Sequence, residues 1–383
     1  MKKNTNKGKK NSGSINTQAV LAMRGAGYYS ARTAGARNVI NDASQMVLAA
    51  IDSLPESSHL RIADFGAADG GTSRQMWDKV IATRRNNGDD RQIEIIYTDL
   101  ASNDFSTLFR MMQGMQGDPI HAYQSLYPNV FVHACGTGFH QQLMSDNSLH
   151  LGFSATAMHY VSVKPGEIPT HVHSARGDDA SKTAYAAQAG DDWTDILLAR
   201  AAELVPGGRF ICLNFGIDAD GYYLGNTGGK HMFDHFHKHW QALYTDGTIT
   251  VDEYERASFA QYYRTMDEFC APFNDPDNPV SKTGLILQSS SNKVTKCPYE
   301  AAFLAAGGPG GSLSNDAYAD SLIPTMRSWS ETVFRTALAG REEAEIDRIT
   351  DRFYQAYRDE VAANPTGHAM DYVHIILDIK MTA

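Results

Sequence analysis

Three features of this sequence have side chains or backbone suited to chemistry: a glycine turn, two aspartates beside strand ends, and a set of histidines. The turn is Ile62-Ala-Asp-Phe-Gly-Ala-Ala-Asp-Gly-Gly-Thr72, in which Gly66, Gly70 and Gly71 follow an apolar run. Glycine lets backbone approach a ligand closely, and the N-terminus of a following helix is electropositive. Strand, glycine turn and helix make a general cradle for a nucleotide-type cofactor. A dinucleotide site would need G-x-G-x-x-G around its pyrophosphate. The spacing here is G-x-x-x-G, which suits a ligand without one. Asp99 closes a second apolar run at 92–97. A carboxylate there can accept hydrogen bonds from both hydroxyls of a ribose, and Asp64 can face an ammonium group. The plainer alternative is that both acids cap strand ends.

His231, His235 and His239 recur at i, i+4 and i+8, with Asp234 between them. On a helix they share one face, and metal-binding helices use that spacing. No glutamate fills the H-E-x-x-H position, so the set reads as a polar surface with no metal. His171-Val-His173 reads the same way. There is no G-x-S-x-G elbow and no Cys–His pair at a recognisable spacing, which argues against a hydrolase. Cys135, Cys212, Cys270 and Cys297 form neither a C-x-x-C pair nor a zinc set, and free thiols suit a reducing cytoplasm.

These residues need a scaffold that gathers strand ends. Val39, Ile40, Met46, Val47, Ala50 and Ile51 have helical spacing, which predicts a helix over 36–54. Strands are predicted at 60–65, 92–97, 130–134, 149–155 and 209–215. Helices are predicted at 72–86, with Thr72 or Ser73 as N-cap, at 103–113, and at 191–204, closed by Pro206-Gly-Gly. This alternation means a parallel sheet with crossovers. After Gly216 the chain turns rich in His, Tyr, Asp and Gly. Helical pieces are predicted at 231–244, 251–257 and 265–271, a glycine-rich loop from Ala305, helices near 316–339 and 341–362, and a closing strand at 372–381. The expectation is a doubly wound core over 18–216 and 363–383, with a mostly helical insertion at 217–362 as a lid over the strand ends.

The chain has 383 residues, 42% hydrophobic and 20% charged, enough for a sizeable core. A net charge of -10 speaks against a nucleic-acid binder, which needs a basic surface to displace counterions. No apolar run approaches the roughly 20 residues of a membrane helix. The basic start has no apolar stretch after it, so it is not a secretory signal, and 1–17 reads as a disordered tail.

Several segments resemble one family. Val20-Leu-Ala-Met-Arg-Gly-Ala-Gly-Tyr-Tyr-Ser30 is similar to its V-L-x-M-x-G-G…S-Y-A opening, and Ile62-Ala-Asp-Phe-Gly66 to I-A-D-L-G. Thr98-Asp-Leu-Ala-Ser-Asn-Asp-Phe-Ser-Thr-Leu-Phe109 parallels N-D-L-x-x-N-D-F-N-x-L-F. Gly136-Thr-Gly-Phe-His140, Asn147-Ser-Leu-His150, Ser154-Ala-Thr-Ala-Met-His-Tyr-Val-Ser162, Val205-Pro-Gly-Gly-Arg209 and Pro324-Thr-Met-Arg-Ser-Trp-Ser-Glu331 continue it. The family is that of the plant salicylate, jasmonate, indole-acetate and caffeine methyltransferases, the SABATH family. The resemblance implies an α/β fold, a Rossmann-like class I methyltransferase sheet with a mostly helical cap. It implies S-adenosylmethionine as methyl donor, a small-molecule acceptor, a homodimer and no catalytic metal. It places Asp64, Gly66 and Thr72 by the methionine part of the cofactor and Asp99 and Leu100 by the ribose. Gly138 and Phe139 fall by the adenine, and Tyr29 and Thr33 (or Ser30) in the segment that closes over the site.

Departures from the family pattern bear on the acceptor. Arg24 stands where carboxyl-methylating members have lysine, and Ala36, beside Arg37, where they have a glutamine that helps hold the substrate carboxylate. Thr156 and Tyr160 replace the tyrosine and tryptophan that sandwich a planar ring. Arg24, Thr156, His159, Tyr160, Met232, Phe233, Met326 and Tyr372 are the expected acceptor contacts. His159 is the candidate catalytic base, or else a hydrogen-bonding wall. The leading expectation is O-methylation of a carboxylate, with N-methylation of a heterocycle or amine as the alternative. A silent binding protein and a nicotinamide dehydrogenase are further rivals. Intact Asp64, Asp99 and Gly66 count against the first, and the missing G-x-G-x-x-G against the second.

Overall fold

The computed structural model describes residues 27–382. Arg24 and the basic stretch at 1–17 lie outside the described residues. The described chain enters through three short helices, α1 (Tyr28–Arg32), α2 (Ala34–Asp42) and α3 (Ser44–Asp52). The sequence predicts one helix over 36–54, but Ala43 separates two, each burying its own apolar face. Strands and helices then alternate: β1 (His59–Phe65), α4 (Arg74–Asn86), β2 (Gln92–Asp99), α5 (Phe105–Met112), α6 (Tyr123–Leu126), β3 (Val130–Gly136), β4 (Leu149–Ala155), α7 (Asp179–Glu203) and β5 (Leu204–Ile217). Ser73 is the N-cap of α4, but its side chain makes no capping bond.

Beyond β5 come α8 (Met232–Thr245), α9 (Val251–Arg256), the two-residue β6 (Arg264–Thr265) and α10 (Met266–Asn274). They are followed by β7 (Leu285–Thr295), α11 (Pro298–Ala305), α12 (Asn315–Ala337), α13 (Glu343–Ala363) and β8 (Tyr372–Met381). The sheet runs β3-β2-β1-β4-β5-β8-β7. Its first five strands are parallel; β8 runs antiparallel to β5, and β7 antiparallel to β8. Strand order reverses between β1 and β4. The crevice outside their carboxyl ends is therefore the natural ligand site. Register sets those ends level, pairing Phe65 with both Thr98 and Ser154.

Three differences from the sequence reading have physical causes. β7 lies within the stretch read as helical cap, yet it forms the edge of the sheet, with Leu285 opposite Met381 and Thr295 opposite Tyr372. Most of its side chains are exposed, so no buried face betrays it. α7 starts at Asp179, twelve residues before the predicted start. Asp178 caps it, accepting from the Ser181 amide at 2.8 Å, and its first half is Ala-rich without an apolar stripe. Pro206-Gly-Gly lies inside β5, where the pairing to β4 is irregular between Leu149 and Leu151. Among the described residues no helix is long and apolar enough to cross a membrane.

Candidate active site

A cavity of about 300 Å³ opens at the carboxyl ends of β1 to β4. Gly66, directly after β1, has φ 75°, and a Cβ there would lie 2.3 Å from the Ala157 Cβ. Only glycine lets the turns after β1 and β4 approach so closely. The Gly66 and Ala67 amides donate to the Thr98 carbonyl at 2.9 and 3.1 Å, which ties the turn to β2. Ala68 follows with φ 51° and presents its amide to Asp99.

Asp99 sits at the end of β2. Its Oδ2 accepts from the Ala68 amide at 2.7 Å and its Oδ1 from the Leu100 amide at 2.8 Å. The two bonds fix the carboxylate plane and leave each oxygen room for a second donor. Burial outweighs them and raises its pKa. Asp64 is turned differently. Its Oδ2 accepts from the Trp77 indole N–H at 2.9 Å, and the side chain does not line the cavity. Burial pushes it up to about 6.

The far wall is the loop at 138–141. Arg200 of α7 holds it, donating to the Phe139 carbonyl at 3.0 Å and the Gln141 carbonyl at 3.1 Å. Its charge is matched by Glu203 at 2.6 Å, and both side chains are fully buried. A second buried cation, Arg264, donates to the Met158 carbonyl at 2.8 Å and to the Ala189 carbonyl, which fastens the segment after β4 to α7.

A smaller cavity of about 30 Å³ lies behind the first. Tyr29, Thr156 and Tyr160 line both. Thr156 has φ 56°, a strained value for a β-branched residue, and its amide is held by the Leu213 carbonyl at 2.8 Å. Enclosure pushes Tyr29 up to about 12. The rest of the inner wall includes Thr33, His159, Phe215, Gln261, Tyr263, Trp329 and Tyr372. The His159 ring lies 4.5 Å from Tyr160 and 4.9 Å from Phe215, and burial drops its pKa to about 3. The Tyr263 hydroxyl donates to Gln261 Oε1 at 3.1 Å, and the Gln261 side chain also hydrogen-bonds the Tyr160 hydroxyl, so the two polar groups sit side by side in the wall. The segment carrying Gln261 is laced to 159–161 by Val161 N to Ala260 O, 3.0 Å, and Tyr262 N to His159 O, 2.8 Å.

Comparison with known proteins places this geometry. A family model described as SAM dependent carboxyl methyltransferase matches residues 18–379. The chain belongs to that family. A curated relative, Methyltransferase FUS9 of Gibberella moniliformis, is 30% identical over 211 residues, 55% of each chain. The salicylate/benzoate carboxyl methyltransferase of Arabidopsis thaliana is 26% identical over 50% of this chain and 53% of its own. The chain thus spans about half the length of these curated relatives. A solved loganic acid methyltransferase with SAH shares the fold, with a TM-score of 0.71 over 94% of this chain and 99% of that one, at 17% identity.

Within this family frame, Gly66, Thr72, Asp99, Leu100, Gly138 and Phe139 all fall in the wall of the larger cavity, as does Tyr29. Thr33, read as a cofactor contact, lines only the inner cavity, where its hydroxyl donates to the Tyr29 carbonyl at 2.9 Å. Asp64 stays below the wall because Trp77 takes its carboxylate. Thr156, His159, Tyr160 and Tyr372 meet at the inner cavity. Met232, Phe233 and Met326 do not: all three are buried in the hydrophobic core and line neither cavity. Phe233, for example, is stacked on His173 at 4.1 Å. Sequence reading missed Gln261, Tyr263, Trp329 and the supports Arg200 and Arg264. Arg200 and Glu203, opposite charges three apart in an otherwise apolar helix end, were a signal for a buried pair.

Proposed function

We propose that this chain transfers a methyl group from S-adenosylmethionine to a carboxylate oxygen of a small molecule. The observation that carries the reading is that two cavities meet across Tyr29, Thr156 and Tyr160. The larger one has the donor set for an adenosyl group. Asp99 offers two fixed oxygens to a ribose diol, and Gly138 and Phe139 leave a flat slot for a base. Gly66 and Thr72 border the space for the amino-acid part. Asp64 acts through Trp77 and the turn, without contact. Bound there, the cofactor supplies a methyl group already activated by its sulfonium.

The chain's own residues supply alignment and exclusion of water, and proximity of this kind lowers barriers by up to roughly 7–11 kcal/mol. A carboxylate acceptor is ionised near neutral pH and needs no base. Among the described residues no lysine or arginine lines the inner cavity. Neutral donors, the Gln261 amide and the Tyr160 hydroxyl, hold one carboxylate oxygen and leave charge on the other, which attacks. Gln261 thereby takes the part of the glutamine missing at position 36. His159 stays neutral down to low pH and serves as wall and hydrogen-bond partner; a conjugate acid near pKa 3 makes it a poor proton acceptor.

The cavity of about 30 Å³ has room for little more than a water, so an acceptor displaces side chains as it enters. Those side chains come partly from the segments after β5, which supply Gln261, Tyr263 and Trp329. N-methylation of a planar heterocycle is the second reading, favoured by the aromatic wall of Tyr160, Phe215, Trp329 and Tyr372. A homodimer in the cytoplasm completes the proposal, on the family resemblance and the free thiols, and sedimentation of the purified chain tests the dimer. For the reaction itself, acids, phenols and amines are screened with isotopically labelled S-adenosylmethionine and products weighed by mass spectrometry. Labelled methyl esters of the acids are expected. Cofactor binding with no product from any acid, but product from amines, would overturn the carboxylate reading.

A further inference from the structure

A cluster of metal-ligand type lies in the cap, and none of its members lines either cavity. α8 carries His235 and His239 one turn apart, and α13 brings Glu360 against both. Glu360 Oε2 is 2.6 Å from His239 Nε2 and 3.3 Å from His235 Nδ1, and the three ligand atoms all lie within 4.8 Å of one another. All three residues are half-buried. A third imidazole approaches from the link between α13 and β8: the His368 ring centroid is 4.7 Å from that of His235.

The simplest account is an ion-pair latch between the helices. Lys238 Nζ lies 2.7 Å from Glu360 Oε1, and His239 bonds Oε2. That account leaves three ring nitrogens over. His235 Nδ1 and both nitrogens of His368 are buried without a hydrogen-bond partner, and His368 is only 2% exposed. Buried nitrogens of this kind are costly unless something satisfies them. Geometry says what would. Tetrahedral zinc with bonds near 2.0–2.1 Å sets its ligand atoms roughly 3.3 Å apart and two imidazole centroids roughly 5 Å apart. The His235–Glu360 distance and the His235–His368 ring separation fit; His239 has to draw back from Glu360 by about 0.7 Å, and a His368 nitrogen has to move in, since the mutual 4.8 Å limit holds for the other three ligand atoms.

We propose that His235, His239 and Glu360 bind a divalent transition ion, zinc foremost, with His368 as the fourth ligand. Four protein ligands leave no open position, so the site is structural. It pins α8, α13 and the link into β8 together. That link continues through Met370 to Tyr372, both in the wall of the inner cavity, so the ion stiffens one side of the acceptor wall.

The test uses the full chain without a histidine tag, stripped by chelator. Zinc is titrated in competition with a chromophoric chelator, and Co²⁺ serves as spectroscopic probe. One ion per chain is expected, with the strong visible bands of tetrahedral Co²⁺ and a raised melting temperature. His239→Ala and Glu360→Gln should each weaken zinc binding at least 100-fold, and His368→Ala at least 10-fold with altered Co²⁺ bands. Circular dichroism checks that each variant folds. His231→Ala, at the N-cap of the same helix and outside the cluster, should bind as before. Failure of the intact chain to bind one ion tightly would overturn the proposal. So would equal affinity in all variants, which would mean adventitious binding among the 14 histidines.

Discussion

The larger and the inner cavity share three residues and are otherwise built on different terms. The larger one lies at strand ends, on the turns after β1, β2 and β4 and the loop at 138–141. Its key side chain, Asp99, is set by two amides that follow directly from the turns after β1 and β2. The inner one is walled by side chains from α1, the ends of β4 and β5, the 261–263 segment, α12 and β8. One depends on local turn geometry, the other on how the helices and segments after β5 pack against the sheet. Such a division lets a donor site persist while the acceptor site varies. It also yields separable predictions.

The largest effect is expected at Arg200. Arg200→Met leaves Glu203 charged and buried, and breaking such a pair costs about 3–5 kcal/mol. The 138–141 loop loses its anchor at the same time. Denaturant unfolding should show the loss, and cofactor affinity should fall in whatever folded protein remains. An unchanged unfolding midpoint would mean that the loop is held by something else.

Titration separates the two regions by sign. Asp64, under the larger cavity, has its pKa raised from an ordinary value near 4 to about 6. Its contribution favours the fold below about pH 4 and is lost as pH rises through 6, so Asp64→Asn should gain on the order of 2–3 kcal/mol at pH 8 and nothing below pH 4. His159, in the inner wall, is depressed from near 6.5 to about 3. Stability is intact above pH 6.5 and falls as pH drops toward 3, so His159→Gln should gain roughly 2 kcal/mol at pH 5 and nothing at pH 8. Melting curves against pH for the two variants should diverge in opposite directions, and parallel curves would erase the contrast.

Asp99→Ala removes charge-assisted bonds of roughly 1.5–3 kcal/mol and should weaken cofactor binding by about 10- to 100-fold in calorimetry, with the acceptor KM unmoved. The smallest effect is expected from Gln261→Leu. The KM for an acid acceptor should rise by about 10-fold, roughly 1.4 kcal/mol, while cofactor affinity stays put. If Gln261→Leu disturbed the cofactor and spared the acceptor, the assignment of the two cavities would be reversed.

The same contrast explains what could be read from the chain. β1 to β5 announce themselves as apolar runs, and the turn after β1 and the aspartate that ends β2 are local motifs, so these residues come together as their spacing suggests. β7 is polar and lies at an edge, so only backbone pairing defines it. Met232, Phe233 and Met326 show why pocket residues are harder. An apolar residue on an amphipathic helix gives one signal whether it faces a cavity or the core, and the core claimed all three. Gln261 gives no signal of its own. Its position depends on the lacing of 260–262 to 159–161, a contact across about 100 residues of chain.

The central claim, a methyl ester made where the two cavities meet, is tested most directly by the fate of the transferred methyl. Product formed with labelled S-adenosylmethionine is treated with mild base. An ester should release its label as methanol and return the free acid. Label retained on the product after base, as on a methylated nitrogen, would contradict the account.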